Sequence, residues 1–208
     1  MTRPLKKFLC AAIFLGGLSA GPRAWADPPL TRPVVEAMLG GFEEGVRPEV
    51  VRSWGATGVQ HLTAIGEDPG ALVFVRVRAV YALRVTAGTA AGSSTRAWLR
   101  ALAGSEGAEL LVRRAAMDAL SEGFGAVAEV AGFLQHPDPA LREGAGWALS
   151  RCRDEAGRAA VRARLGRETD PGVRQSLIDA LATPGAGAGT TPTVPPTGPS
   201  RAGLSRGG

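Results

Sequence analysis

The 208-residue chain is poor in the groups that do chemistry. It has two histidines, two cysteines and one tyrosine, aromatic residues make up 5% of it, and its lysines, Lys6 and Lys7, both lie near the start. His61 and His136 have no H-E-x-x-H arrangement and no cysteine partner, so a metal site lacks ligands. No G-x-S-x-G, phosphate loop or G-x-G-x-x-G occurs. Gly40-Gly41-Phe42 and Gly123-Phe124-Gly125 read as loop or helix-end glycines, and the adjacent acids Glu43-Glu44 and Asp154-Glu155 cannot share a helix face. These absences argue against an enzyme and against a cofactor. Strand signals are also scarce, with Leu72–Val77 the only β-rich stretch.

Positive charge is scarcer than it looks. The formal net charge is +5, but Arg3, Lys6, Lys7 and Arg23 fall in the first 26 residues and all 19 acids lie after them. From residue 27 onward the balance is +1, and over 27–182 it is −1. A nucleic-acid binder carries a basic stripe through its fold, and none is present.

Residues 1–26 read as an export signal. Arg3, Lys6 and Lys7 form a positive start, Phe8 to Ala20 an apolar run of 13 positions, and Ala24-Trp25-Ala26 a small-x-small cleavage pattern that places the mature start at Asp27. The run is short of the ~20 residues that a spanning helix needs. Cys10 precedes most of it, behind Lys7, Phe8 and Leu9, which is the wrong place for a lipid-modified cysteine. The expectation is an exported protein, periplasmic or extracellular, with no membrane span after cleavage. Only Cys152 then remains, so no internal disulfide forms and the fold rests on packing. Without a histidine nearby to activate it, Cys152 reads as a small buried residue near a helix end.

What the chain does have is a repeat. Val75–Leu83, Val112–Leu120, Leu141–Leu149 and Val173–Leu181 align without gaps as [VL]-R-x-x-[AL]-x-x-A-L. The arginines, Arg76, Arg113, Arg142 and Arg174, are spaced by 37, 29 and 32 residues. Asp138-Pro139 and Asp170-Pro171 begin four positions before their arginines, and Asp68-Pro69 lies further ahead of Arg76. An N-cap Asp accepts orphan N–H groups, and a following Pro has its φ preset, so each pair predicts a helix start. Apolar residues at offsets −1, +3, +6 and +7 from the arginine make one helical stripe. Before each copy lies another helical segment, at Pro48–Ile65, Ser94–Ala103, Ala126–Leu134 and Ala156–Leu165. Asp27-Pro28, Arg32, Val35, Met38 and Leu39 form a weaker copy that would cap the array.

This unit resembles the HEAT repeat family, particularly its short bacterial form known from phycobilisome-lyase-like proteins. The likeness covers about 27–182. The D-P-x-[VL]-R-x-x-[AL]-x-x-A-L string is clean in the third and fourth copies and looser in the first. The second has Gly104-Ser105-Glu106-Gly107 where Asp-Pro would stand. Neither the tetratricopeptide period and signature nor the ankyrin T-P-L-H occurs. The implied fold is all-α: a solenoid of stacked antiparallel helix pairs, about four repeats plus an N-terminal capping helix. Residues 183–208, with 7 Gly and 5 Pro, would form a disordered tail. The resemblance further implies that the motif arginine meets the turn aspartate in its own or a neighbouring repeat, which here means Arg142 with Asp138 and Arg174 with Asp170.

Several positions then acquire expected roles. Ala79, Ala82, Ala116, Ala119, Ala145, Ala148 and Ala180 fill offsets +3 and +6 and would let helices approach closely. Gly144 and Gly146, inside a predicted helix, suggest a close neighbour or small pocket there, though compositional drift accounts for them equally well. Offsets +1 and +5 point away from the apolar stripe, and in proteins of this kind that face lines the concave surface. The +1 column reads Val77, Arg114, Glu143 and Gln175, and the +5 column Tyr81, Asp118, Trp147 and Asp179. A Tyr and a Trp on a polar strip beside an Arg have the composition of a binding hot spot. Alternatively, Trp147 packs on the edge of the next helix. Trp54 and Trp98 read as core, His136 as solvated at its turn, and His61 as marginal in its helix. The functional expectation is a non-catalytic scaffold that holds a protein or peptide. The alternatives are a lyase-like or chromophore-handling enzyme, by fold analogy alone, and an envelope module tethered by its tail.

Overall fold

The computed structural model describes residues 29–41 and 46–183. The segment read as an export signal, with Asp27-Pro28, the acids Glu43-Glu44 and nearly all of the predicted tail lie outside them. Among the described residues all regular structure is helical: α1 (Arg32–Gly40), α2 (Pro48–Ser53), α3 (Gly55–Glu67), α4 (Val73–Ala82), α5 (Gly92–Gly104), α6 (Leu110–Phe124), α7 (Val127–Gly132), α8 (Pro139–Arg151), α9 (Glu155–Leu165) and α10 (Pro171–Ala182). Short 3-10 turns at Leu83–Thr86 and Phe133–Gln135 extend α4 and α7. The β-rich stretch at Leu72–Val77 is helical from Val73, with Val75 buried in the core and Val73 exposed on the other side.

Local chemistry explains the helix ends. Asp138 and Asp170 are N-caps, accepting from Ala140 N (2.9 Å) and Val173 N (2.9 Å), each with Pro at the first helical position. Asp154 caps α9 in the same way, through Ala156 N. Asp68 does not start a helix. It closes α3, accepts from Gly70 N, and pairs with Arg32, which also reaches Glu36. The predicted helix over 48–65 breaks at Trp54, because Gly55 adopts φ 57°, the left-handed region that glycine enters at no steric cost. Gly125, at φ 59°, closes α6 by the same means.

The second helices of successive repeats, α4, α6, α8 and α10, stack in series, and α3, α5, α7 and α9 pack outside them. The alanine columns make this possible: Ala79, Ala116, Ala119, Ala145, Ala148 and Ala180 are all fully buried and Ala82 nearly so. Gly146 allows the closest approach, since a Cβ there would collide with the Leu177 side chain of α10. Two apolar clusters result. One runs from Val80 and Leu99 to Leu177, the other from Val35 and Leu39 to Val85, and the half-buried Trp98 packs on both. Trp54 packs on the second. Each fully buried Leu contributes roughly 1.5–3 kcal/mol.

The motif arginines do not pair as the resemblance implies. Arg76 Nε donates to Gly66 O (3.2 Å), Arg113 Nε to Ala103 O (2.9 Å) and Arg174 Nη1 to Leu165 O (2.8 Å). In each case the guanidinium caps the carbonyl end of the preceding helix, where the helix dipole favours a cation. Arg142 instead donates to His136 O and Pro137 O and forks onto Glu168. The carboxylates that reach motif arginines from another repeat come from the next unit's loop, Glu109 to Arg76 (3.4 Å) and Glu168 to Arg142 (2.9 Å). Asp138 and Asp170 are spent on backbone N–H groups. Arg174, in the last repeat, is exposed.

Candidate binding groove

A groove of about 650 Å³ runs across α4, α6 and α8. Its walls include Phe74, Val77, Arg78, Tyr81, Leu111, Arg114, Asp118, Glu122, Gly144, Trp147 and Arg151. Of the predicted face, Tyr81, Arg114, Asp118 and Trp147 are therefore brought together. Glu143 stands behind them, accepting from Arg114 Nη2 (2.7 Å) and Ser176 Oγ (3.2 Å). Gln175 and Asp179 are not part of the groove. They are exposed and bond to each other on α10 (2.9 Å). The reason lies two positions before each arginine: Phe74 and Leu111 build walls there, whereas Ala140 and Gly172 leave none.

The polar atoms of the groove are largely committed to one another. Tyr81 Oη donates to Glu122 Oε2 (2.6 Å), Arg151 pairs with Asp118 and lies 3.4 Å from Glu122, and Arg84 covers the Tyr81 ring at 3.9 Å. Burial, with Glu122 alongside, pushes the Tyr81 phenol up to about 12. Burial also lifts Asp118 above the usual carboxylate range, against the pull of Arg151. Trp147 Nε1 donates to Ser176 Oγ (2.9 Å), so this ring both lines the groove and clips α8 to α10. Arg114 lies along Gly144, where a Cβ would stand 2.7 Å from its Cγ, and donates to Ala140 O. Arg78 donates to Leu39 O (2.7 Å) and Gly41 O and sits over the Phe74 ring.

The apolar mouth was missed from sequence. Phe74 is 40% and Leu111 53% exposed, a large hydrophobic display for two neighbouring helices. Extending the +1 and +5 columns by one further turn each way, to −3 and +9, adds Val73, Glu122 and Arg151. Phe74 and Leu111 stand at offset −2, outside both columns, so no extension of them reaches the mouth.

The remaining reactive side chains lie elsewhere. Cys152 is 4% exposed, its Sγ 3.2 Å from Asp154 O, and burial raises its thiol above the ordinary value. His136 is half-buried and held rather than simply solvated: its Nδ1 accepts from Asp138 N (3.0 Å) and its ring stacks on Phe133. His61 lies 3.3 Å from Leu30 O. Among the described residues no three metal-binding side chains come together, and no helix is long and apolar enough to cross a membrane.

Stacked helix pairs with a groove on their second helices define an α-solenoid. Residues 124–182, the last two pairs, match the family model for HEAT repeats, and this part of the chain is built of them. The earlier pairs continue the same stacking. No curated protein matches the chain.

Proposed function

We propose that the protein is an exported, non-catalytic scaffold that holds a protein or peptide in the groove across α4, α6 and α8. HEAT repeats suggest an interaction or scaffold role. The observation that carries the reading is the apolar mouth: Phe74 and Leu111 stand exposed beside Tyr81 and Trp147, whose polar atoms are already satisfied within the chain. A partner's apolar side chains would therefore gain contact area without stripping water from unpaired groups. Export rests on the positive start, the apolar run and the Ala24-Trp25-Ala26 pattern.

Two measurements test this. Most of the protein is expected in the cell envelope or medium, beginning at Asp27; recovery only from the cytoplasm would refute export, and an intact Met1 terminus would refute cleavage. Crosslinking in intact cells through a photoreactive residue at Phe74 is expected to trap a discrete polypeptide. The same probe at the exposed Arg100 is not, and identical products from both positions would sink the groove.

A further inference from the structure

Beside the groove lies a second cavity, of about 390 Å³, lined by Arg52, Arg84, Arg151 and Arg153 with Glu122 as its one acid. These arginines are far apart in sequence. Arg52 comes from α2, Arg84 from the turn after α4, Arg151 from the end of α8 and Arg153 from the loop that follows it. Gly123 lets the walls close in, because a Cβ there would stand 2.7 Å from Arg84 Cα.

The charges do not cancel locally. Arg151 is matched by Asp118 and Glu122, but its Nε is buried and donates no hydrogen bond. Arg84 donates to Tyr81 O (3.2 Å) and covers the Tyr81 ring. Arg52 and Arg153 are exposed, and among the described residues neither has an ion-pair partner. Four guanidiniums against Asp118 and Glu122 leave an excess of two positive charges, in a segment, 27–182, whose net charge is −1. Gathering like charges from three parts of a chain costs stability unless an anion offsets it. An excess of two matches a phosphoryl group, which carries about −1.5 to −2 at neutral pH and offers acceptor oxygens to several guanidinium forks.

We infer that this arginine-lined cavity is a binding site for a phosphoryl group, carried either by a soluble phosphate or by a lipid headgroup. The site adjoins the apolar groove and shares Glu122 and Arg151 with it, but it does not depend on a partner being held there. Titration calorimetry with inorganic phosphate and pyrophosphate, at constant ionic strength in chloride, should give saturable binding. Co-sedimentation with phosphatidic acid vesicles, whose headgroup is a phosphate monoester, against phosphatidylcholine, tests the lipid source. Arg52→Glu/Arg153→Glu changes two exposed side chains, so its circular dichroism should match wild type. It should weaken whichever binding is seen by about ten-fold or more, while Arg100→Glu should leave it unchanged. Free phosphate alone would assign a soluble ligand, and vesicles alone a headgroup. No binding in either arm, or equal binding by the double variant, would overturn the site.

Discussion

Arg142 forks onto Glu168 of the next repeat, with Nε 2.9 Å from Oε2 and Nη2 3.1 Å from Oε1. Arg164 approaches the same carboxylate at 2.7 Å, and the N–H groups of Thr169 and Asp170 donate to it. The Glu168 side chain is wholly buried. Burial by itself would raise its pKa, but the bonds from Arg142, Asp170 and Arg164 outweigh it and hold the group at about 2, against 4.5 unperturbed. The last two repeats are thus fastened by a charge that only its partners make tolerable.

Glu168→Gln should accordingly cost about 3 kcal/mol at neutral pH, since it leaves Arg142 buried without its counter-charge. Between pH 4.5 and 2 the unfolded chain binds a proton that the folded one does not. The contribution is full above pH 4.5 and disappears as pH falls through 2. Urea midpoints measured across that window should fall more steeply for wild type than for the variant. Parallel slopes would refute the assignment.

Ala145 and Ala180 are both fully buried, on α8 and α10. Glutamate at either position buries an unpaired charge at a cost of several kcal/mol. Ala145→Glu lies mid-stack and should abolish a cooperative melt. Ala180→Glu should fray the last pair and lower the helical signal less. Unchanged melting in either variant would contradict the stacking.

Gly146→Ala reverses the usual helix rule. Alanine is favoured over glycine by about 1 kcal/mol in a helix interior, yet here its methyl would displace Leu177, and such overpacking costs roughly 1–3 kcal/mol. The expected result is a lower melting temperature. Gly132→Ala, on α7 with nothing within 4 Å of the added carbon, should raise it.

Tyr81 is the chain's one tyrosine, so tyrosinate absorbance reports on it alone. Its ionisation should be centred near 12 in the folded protein and return toward 10 in denaturant. Because the folded pKa is the higher, this group's contribution to stability is present below pH 10 and lost as pH rises through 12. A native titration at 10 would mean that Tyr81 is neither buried nor bonded to Glu122.

Much of this was legible in the sequence because it repeats. The Asp-Pro starts, the alanine columns and the −1, +3, +6, +7 stripe are local, periodic signals, and they define the stack. The partners of the motif arginines were not legible, because Gly66 O and Ala103 O are backbone atoms and Glu109 and Glu168 sit in loops at offsets that differ between copies. The break at Trp54 depends on one glycine's φ. The arginine-lined cavity joins residues some 100 positions apart, Arg52 and Arg153, which no periodicity connects.

The clip from Arg76 to Gly66 O and from Arg113 to Ala103 O closes a loop of only ten residues. Each hairpin can therefore set its own angle before any neighbour arrives, so the contacts that shape it are short-range and quickly made. Assembly of the array has no obligatory first unit: it can nucleate at whichever pair closes first and spread outward in both directions.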